Sequence, residues 1–161
     1  ARSHTAPTQL PTATFPTTPL NFAPKVEARN TVLVGLRDVD QLERQAVRES
    51  GVHIFTMRDI DERGMTNVIR EAIAAASSGT AGYHVSFDMD SVDPSEAPGV
   101  GTPVPGGLTY REAHLAMELI GDSGSMTSVE IVEVNPVMDV ANKTALLGVG
   151  LVTSALGKRI L

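Results

Sequence analysis

Short apolar runs that favour β-strands alternate with segments of helical periodicity along most of this chain, and this alternation restricts the folds that it can adopt. We predict strands over residues 31–36, 52–57, 83–87 and 128–134. Helical spacing of apolar residues predicts helices over 40–50, 65–77, 109–120 and about 142–156. Strands that alternate with helices form a parallel sheet covered on both faces. The predicted fold class is therefore α/β, with three layers in the order helix, sheet, helix.

Residues 1–24 differ in composition from the rest of the chain. They contain five of the ten prolines and show neither strand nor helix periodicity. We expect an irregular segment over residues 1–29, disordered or corrupted in sequence, followed by one α/β domain over residues 30–161. The total of 161 residues suits a single domain.

Charge and composition exclude several classes of protein. The formal net charge is −6 and the sequence has no basic block, which argues against a nucleic-acid partner. Cysteine is absent, so disulfides and thiolate metal sites are excluded. No apolar run approaches the roughly 20 residues that span a membrane, and no secretory signal is recognisable. We expect a cytoplasmic protein without a membrane partner.

Three carboxylates, Asp88, Asp90 and Asp93, follow the third apolar run and precede a loop rich in glycine and proline. Alternate strand residues share a face, so Asp88 and Asp90 would point the same way. Two adjacent like charges are unfavourable unless a cation lies between them, which favours a divalent metal site. One alternative is that the carboxylates only cap turns. Another is the nucleophile loop of a dehalogenase-type phosphatase, with Asp88 attacking phosphate; an EF-hand loop is excluded because its glycine is missing.

Acidic residues follow three of the four predicted strands. Asp40 lies shortly after the first, Asp88 and Asp90 close the third, and Glu133 ends the fourth. Ligands of parallel α/β sheets bind beyond the carboxyl ends of the strands. We therefore expect these side chains to meet on one edge of the sheet.

Other charged residues in the same regions are expected to be structural. Arg37 and Asp38 are predicted to form an ion pair. His53 and His114 fall in a strand and a helix away from the acidic edge, and we expect structural or surface roles for both. His84 begins a strand and is expected to pack or to cap.

The stretch from residue 84 to residue 107 resembles the ureohydrolase family of arginases, agmatinases and relatives. The family pattern is present as Ser86, Asp88, Asp90, Asp93-Pro94, Pro98-Gly99, Gly101-Thr102-Pro103 and Gly106-Gly107. Similar segments elsewhere are Gly35-Leu-Arg-Asp-Val-Asp40, Thr109-Tyr-Arg-Glu112 and Glu133-Val-Asn-Pro136. Residues 30–161 thus look like the C-terminal half of an arginase, so the fold would be incomplete on its N-terminal side. The first and last of these segments look more like arginase than agmatinase.

The resemblance implies a site with two Mn²⁺ ions, at which a metal-bridging hydroxide attacks the guanidinium carbon of the substrate. Asp88 and Asp90 would be metal ligands. The family segment Asp-Ala-His-x-Asp would fall near residues 2–6, where this chain reads Arg-Ser-His-Thr-Ala and keeps only His4 as a further candidate ligand. The family segment Gly-Gly-Asp-His does not occur in this sequence. Only part of the ligand set is therefore present.

The resemblance also implies a substrate and an assembly. Arginases hydrolyse L-arginine to L-ornithine and urea, and family members usually form trimers or hexamers. Glu133 would bind the guanidinium group, Thr102 would lie near that group, and Asp40 would lie near the α-amino group. We expect no arginase activity from this chain alone. The alternatives are an agmatinase-type enzyme and a non-catalytic remnant that packs on an intact arginase subunit.

Overall fold

The computed structural model describes residues 25–158, in which parallel strands alternate with helices, and it confirms the predicted α/β class. The strands are β1 (Val32–Leu36), β2 (His53–Thr56), β3 (Tyr83–Asp88) and β4 (Met126–Val132). The α-helices are α1 (Gln41–Glu49), α2 (Met57–Arg63), α3 (Met65–Ala76), α4 (Tyr110–Ser123) and α5 (Lys143–Ala155). Short 3-10 helices span Ala28–Asn30 and Met89–Ser91. Over this range no helix has the length and apolar character needed to cross a membrane.

The strands form two parallel pairs. In the first pair β1 lies beside β2, with Val32 opposite His53. In the second pair β3 lies beside β4, with Tyr83 opposite Met126. Within the described residues each strand therefore has one paired and one unpaired edge. Helices α3 and α4, which pack on each other, connect the two pairs.

Helix α2 was not predicted, and the predicted strand over 52–57 extended one residue too far. Met57 continues the apolar run, but it is the first residue of α2. The Thr56 side chain accepts a hydrogen bond from the Asp59 N–H, and the Asp59 carboxylate accepts one from the Thr56 N–H at 2.7 Å. This reciprocal capping box stabilises a helix start and ends the strand at Thr56.

The core lies where the helices cover the strands. Its fully buried large side chains are Ile60, Val68, Met89, Val92, Val100, Met117 and Leu151. Helix α5 approaches α4 closely at Gly121, where an added Cβ would lie 2.7 Å from the carbonyl oxygen of Ala155. The missing side chain of Gly121 therefore sets the distance between these helices.

The glycine- and proline-rich loop is closed at its neck. Val92 and Leu108 form a parallel bridge where the loop leaves and rejoins the core. The Asp93 carboxylate accepts hydrogen bonds from the backbone N–H groups of Ser95 and Gly106, at 3.0 and 2.8 Å. A hydrogen bond from the Ser95 side chain, together with these two backbone bonds, favours the ionised carboxylate and lowers the pKa of Asp93 to about 2. Asp93, the third carboxylate of the sequence pattern, thus closes the loop.

Three histidines have the structural or surface positions that we expected. His53 is exposed on β2, and the exposed ring of His84 lies 2.8 Å from the Ser128 hydroxyl. His114 is buried in α4, with Nδ1 2.9 Å from the Ser154 hydroxyl and no hydrogen-bond partner for Nε2. Burial disfavours the charged ring and lowers the pKa of His114 below its ordinary value of 6.5.

The closed neck of the loop leads to a prediction on stability. A Cβ on Gly107 would lie 2.6 Å from the Asp93 nitrogen and from the Ser91 carbonyl oxygen, whereas a Cβ on Gly101 would meet no atom nearer than 4.0 Å. We expect Gly107→Ala to lower the free energy of unfolding by about 1–3 kcal/mol. Gly101→Ala, in the same loop, should change it by less than about 0.5 kcal/mol. Urea titrations measure the unfolding free energy of both variants. Equal losses in the two variants would contradict the close packing of Gly107 at the neck of the loop.

The buried His114 leads to a prediction on pH dependence. Because its pKa is lower in the folded chain, the unfolded chain binds more protons below pH 6.5. The stability that depends on neutral His114 is complete above pH 6.5 and is lost as the pH falls below it. We expect His114→Gln to flatten the decline in unfolding free energy, measured by urea titration from about pH 8 to about pH 5. The exposed control His53→Gln should retain the decline; identical slopes in both variants would refute the prediction.

Candidate active site

A tight turn at the end of β3 brings two carboxylates together. Asp88 is the last strand residue, and its Oδ1 accepts a hydrogen bond from the Asp90 N–H at 3.0 Å. The Ser91 hydroxyl donates to the Asp88 carbonyl at 2.6 Å, which stabilises the following 3-10 helix. Asp90 therefore lies in this turn rather than on the strand, which corrects the expected alternation along β3. The two carboxylates are still neighbours at the carboxyl end of the strand.

Thr102 contacts Asp90 from the opposite side of the loop. Its hydroxyl donates to Asp90 Oδ2 at 2.7 Å. This bond joins a residue predicted to lie near the substrate with one predicted to bind metal. The structure thus confirms that the two positions are close in space, although 12 residues separate them in the sequence.

Arg37 holds the backbone of the same region in place. Its guanidinium donates to the carbonyl oxygens of Asp90 at 2.6 Å and Val104 at 2.7 Å. The expected ion pair with Asp38 is wrong, since it is not among the ion pairs formed within residues 25–158. Guanidinium groups bind carbonyl oxygens well because their N–H donors have a fixed planar geometry. The sequence gives no direct signal for these partners, which lie more than 50 positions away.

The loop that carries Thr102 is anchored at Gly99. The Gly99 N–H donates to the Thr144 hydroxyl at 2.7 Å, and its carbonyl accepts from the Asn135 N–H at 2.8 Å. A Cβ on Gly99 would overlap the side chain of Asp139. Asp139 in turn accepts a hydrogen bond from the Thr144 N–H at 3.0 Å and so stabilises the start of α5. The loop is therefore anchored both to the first turn of α5 and to the segment that precedes this helix.

Glu133 follows β4 directly, and its backbone is strained. Its φ is 63°, in the left-handed region that side chains other than glycine rarely adopt. Its Oε2 lies 4.0 Å from the position that a Cβ on Gly101 would occupy, beside the loop that carries Thr102. Strained conformations of this kind cluster at functional sites. The structure brings Glu133 to the same edge as Asp88, as the sequence predicted.

The three carboxylates make this edge strongly acidic. Partial burial raises the pKa of Asp88, the bond from the Asp90 N–H opposes this shift, and the charges of Asp90 and Glu133 add to it. The negative charges of Asp90 and Glu133 thus make ionisation of Asp88 less favourable. A bound cation would relieve this repulsion, so the edge is suited to a metal ion or a cationic substrate.

Two candidate residues are not placed in this cluster. Asp40 is exposed and directly precedes helix α1, where its Oδ1 accepts a hydrogen bond from the Glu43 N–H at 2.9 Å. This bond makes Asp40 a helix cap, and its contact with the α-amino group of a substrate stays a prediction. His4 lies outside the described residues.

A manganese site is not complete within residues 25–158. This part of the chain contains no group of three or more His, Cys, Asp or Glu side chains that could hold a metal ion. Mn²⁺ prefers a full shell of oxygen ligands. Asp88 and Asp90 could therefore supply only part of its ligands.

Comparison with known proteins shows that this chain is similar to arginases over most of its length. The arginase family model matches residues 4–157. The arginases of Bacillus caldovelox and Bacillus subtilis are 49% and 51% identical to this chain over 140 residues. Each alignment covers 87% of this chain and 47% of the relative. The chain thus spans about half the length of these relatives.

Solved structures of arginases and related enzymes have a similar fold. Native arginase from Bacillus caldovelox superimposes with a TM-score of 0.84 at 48% identity, covering 88% of this chain and 47% of that chain. A formimidoylglutamase from Bacillus subtilis gives 0.76 at 30% identity, covering 81% and 41%. A hypothetical agmatinase from Burkholderia thailandensis gives 0.69 at 26% identity, covering 81% and 39%. On these matches the chain belongs to the arginase family, of which it represents the C-terminal half.

Proposed function

We propose that this chain supplies the guanidinium-binding half of an arginase-type amidino hydrolase. The complete protein would hydrolyse L-arginine to L-ornithine and urea. The observation that supports the proposal is the convergence of Asp88, Asp90 and Glu133 with Thr102 on one edge of the strands. Four side chains from three separate segments form this cluster, so turn capping alone does not account for it.

Glu133 is suited to bind the guanidinium group. A carboxylate pairs with a planar guanidinium through two parallel N–H bonds, which fix the orientation of the cation as well as its position. The strained backbone of Glu133 holds its carboxylate beside the loop at Gly101. The nearby negative charges of Asp88 and Asp90 would also attract the substrate cation.

Asp88 and Asp90 would contribute carboxylate ligands to manganese. Oxygen donors suit this ion, and the bond from Thr102 orients the Asp90 carboxylate. The described residues do not complete the ligand shell, so further ligands would have to come from outside residues 25–158. We expect the 161-residue chain alone to release no urea.

Reconstitution with the N-terminal half of a relative tests the proposed activity. The probe is the N-terminal half of Bacillus subtilis arginase, expressed separately and mixed with this chain and Mn²⁺. We expect urea release from L-arginine by the mixture and by neither component alone. Agmatine, supplied in place of arginine, tests the alternative specificity. Urea release from this chain alone, or faster hydrolysis of agmatine, would contradict the proposal.

A pair of variants tests the role of Glu133. In the mixture, we expect Glu133→Gln to lower kcat/KM for arginine about 10- to 100-fold, because a hydrogen bond to a charged group contributes about 1.5–3 kcal/mol. The matched control is Glu130→Gln, three residues earlier, where the carboxylate lies 3.4 Å from His84 on the exposed face of β4. Equal losses in both variants would exclude a specific role for Glu133. A complex without activity would instead favour the non-catalytic remnant.

A further inference from the structure

The Arg37 side chain closes a ring of contacts around the hydrogen bond between Thr102 and Asp90. Arg37 Nη2 donates to the Asp90 carbonyl oxygen at 2.6 Å and to the Val104 carbonyl oxygen at 2.7 Å. The Thr102 hydroxyl donates to Asp90 Oδ2 at 2.7 Å. Val104 follows Thr102 closely in the chain. The ring therefore runs from Arg37 to the Asp90 backbone, through the Asp90 carboxylate to Thr102, and along the chain to Val104 and back to Arg37.

The guanidinium of Arg37 donates from all of its nitrogens. Besides the two bonds of Nη2, Nε donates to the Val104 carbonyl oxygen at 3.2 Å and Nη1 to the Ser91 carbonyl oxygen at 3.4 Å. The planar group keeps the directions of these bonds fixed relative to one another. The ammonium group of lysine has a single nitrogen, so it cannot occupy all the donor positions at once. These contacts therefore require the shape of arginine as well as its charge.

Arg37 acts on the main chain rather than on the carboxylates. Its acceptors are all backbone carbonyl oxygens, and it takes part in none of the ion pairs formed within residues 25–158. A charged donor bonds to a carbonyl oxygen more strongly than a neutral one. Arg37 therefore fixes the path of the backbone that carries Asp90, and leaves the negative charge of the carboxylate available to a ligand.

The bond between Thr102 and Asp90 needs such support. Thr102 is exposed, so water competes for its hydroxyl and for the carboxylate that it contacts. Arg37 is half-buried, and water reaches its bonds less easily. The Arg37 bonds thus hold the two segments together, and the Thr102 hydroxyl then orients the carboxylate.

The rest of the loop is attached by other contacts. Gly106 is bound at the closed neck, and Gly99 is bound to the start of α5. Thr102 and Val104 lie between these two attachment points in the sequence. Arg37 contacts this intervening stretch at Val104, and so determines where Thr102 lies relative to Asp90. Its role differs from that of the two attachments, which hold the ends of the stretch.

We propose that Arg37 is a positioning residue, which holds the Asp90 carboxylate and the Thr102 hydroxyl in the relative geometry that a divalent cation requires. Groups that bind a metal depend on neighbours that keep them oriented, and loss of such a neighbour weakens metal binding about 10- to 100-fold. The inference deepens the proposed function and rests on it for the identity of the cation, Mn²⁺. Arg37 itself would contact neither the metal nor the substrate.

Two substitutions separate the shape of Arg37 from its charge. Arg37→Lys keeps the charge, whereas Arg37→Met removes it. Each variant of the full 161-residue chain is mixed with the N-terminal half of Bacillus subtilis arginase, and free Mn²⁺ is measured by electron paramagnetic resonance during a titration. We expect both variants to bind Mn²⁺ about 10- to 100-fold more weakly than the unmodified mixture. Affinity that Arg37→Lys fully retains and Arg37→Met loses would show that charge alone matters, and would overturn the proposal.

A control variant separates positioning from general stability. Arg70→Lys, at an exposed position of α3, should leave the Mn²⁺ affinity unchanged. An equal loss of affinity in Arg70→Lys and Arg37→Lys would contradict a specific role. Circular dichroism and urea titration show whether each variant folds and how stable it is. If Arg37→Lys is less stable but binds Mn²⁺ as tightly as the unmodified chain, Arg37 gives structural support only, which would also overturn the proposal.

A measurement on the unmodified chain needs neither assembly nor a folded variant. Nuclear magnetic resonance follows the exchange of arginine Nε–H groups with water. We expect the Arg37 Nε–H to exchange at least about tenfold more slowly than those of Arg48 and Arg70, which are exposed. Equally fast exchange in all three would show that the ring of contacts does not persist, and would overturn the proposal.

The outcome for Arg37 can be distinguished from the outcome for the proposed function. Weaker Mn²⁺ binding by Arg37→Lys, with no urea release from the unmodified mixture, would support the positioning role and contradict the proposed hydrolysis. Urea release from the unmodified mixture, with the same Mn²⁺ affinity and the same kcat/KM in Arg37→Lys, would support the hydrolysis and contradict the positioning role.

Discussion

The hydrogen bonds of the Arg37 guanidinium hold the two halves of the structure in register. They join the end of β1 to carbonyl oxygens at Asp90 and Val104, so one side chain connects a strand of the first pair with the loop beyond the second. A charged donor makes stronger hydrogen bonds than a neutral one. The acidic cluster depends on this connection, because it keeps the carboxyl ends of the two strand pairs together.

The acidic cluster is supported by structure that lies outside it. Asp93 closes the neck of the loop, Gly99 fits against Asp139, and the Thr102 hydroxyl reaches Asp90. The strained backbone at Glu133 is tolerated because β4 and the loop define its surroundings. Side chains that bind a ligand need such support, since small displacements weaken oriented hydrogen bonds.

The incomplete sheet and the incomplete ligand set lie at the same place. Asp88 and Asp90 border the cavity between β1 and β3, at the carboxyl ends of both strands. Within residues 25–158, strand edges without a neighbouring strand therefore lie next to the two carboxylates that lack further metal ligands.

The sequence alone determined which segments form the strands and most of the helices. It also determined that acidic side chains lie at the carboxyl ends of the strands. The alternation of apolar runs predicted the strands and most helices, and the motif from Ser86 to Gly107 predicted the family, because periodicity and motif spacing are local properties. Helix α2 was missed since the apolar Met57 continued the strand pattern, while the deciding bonds of Thr56 involve Asp59. Only the tertiary structure decided the partners of Arg37, the left-handed Glu133 and the division of the sheet into two pairs. These features depend on contacts between distant residues, which no local pattern encodes.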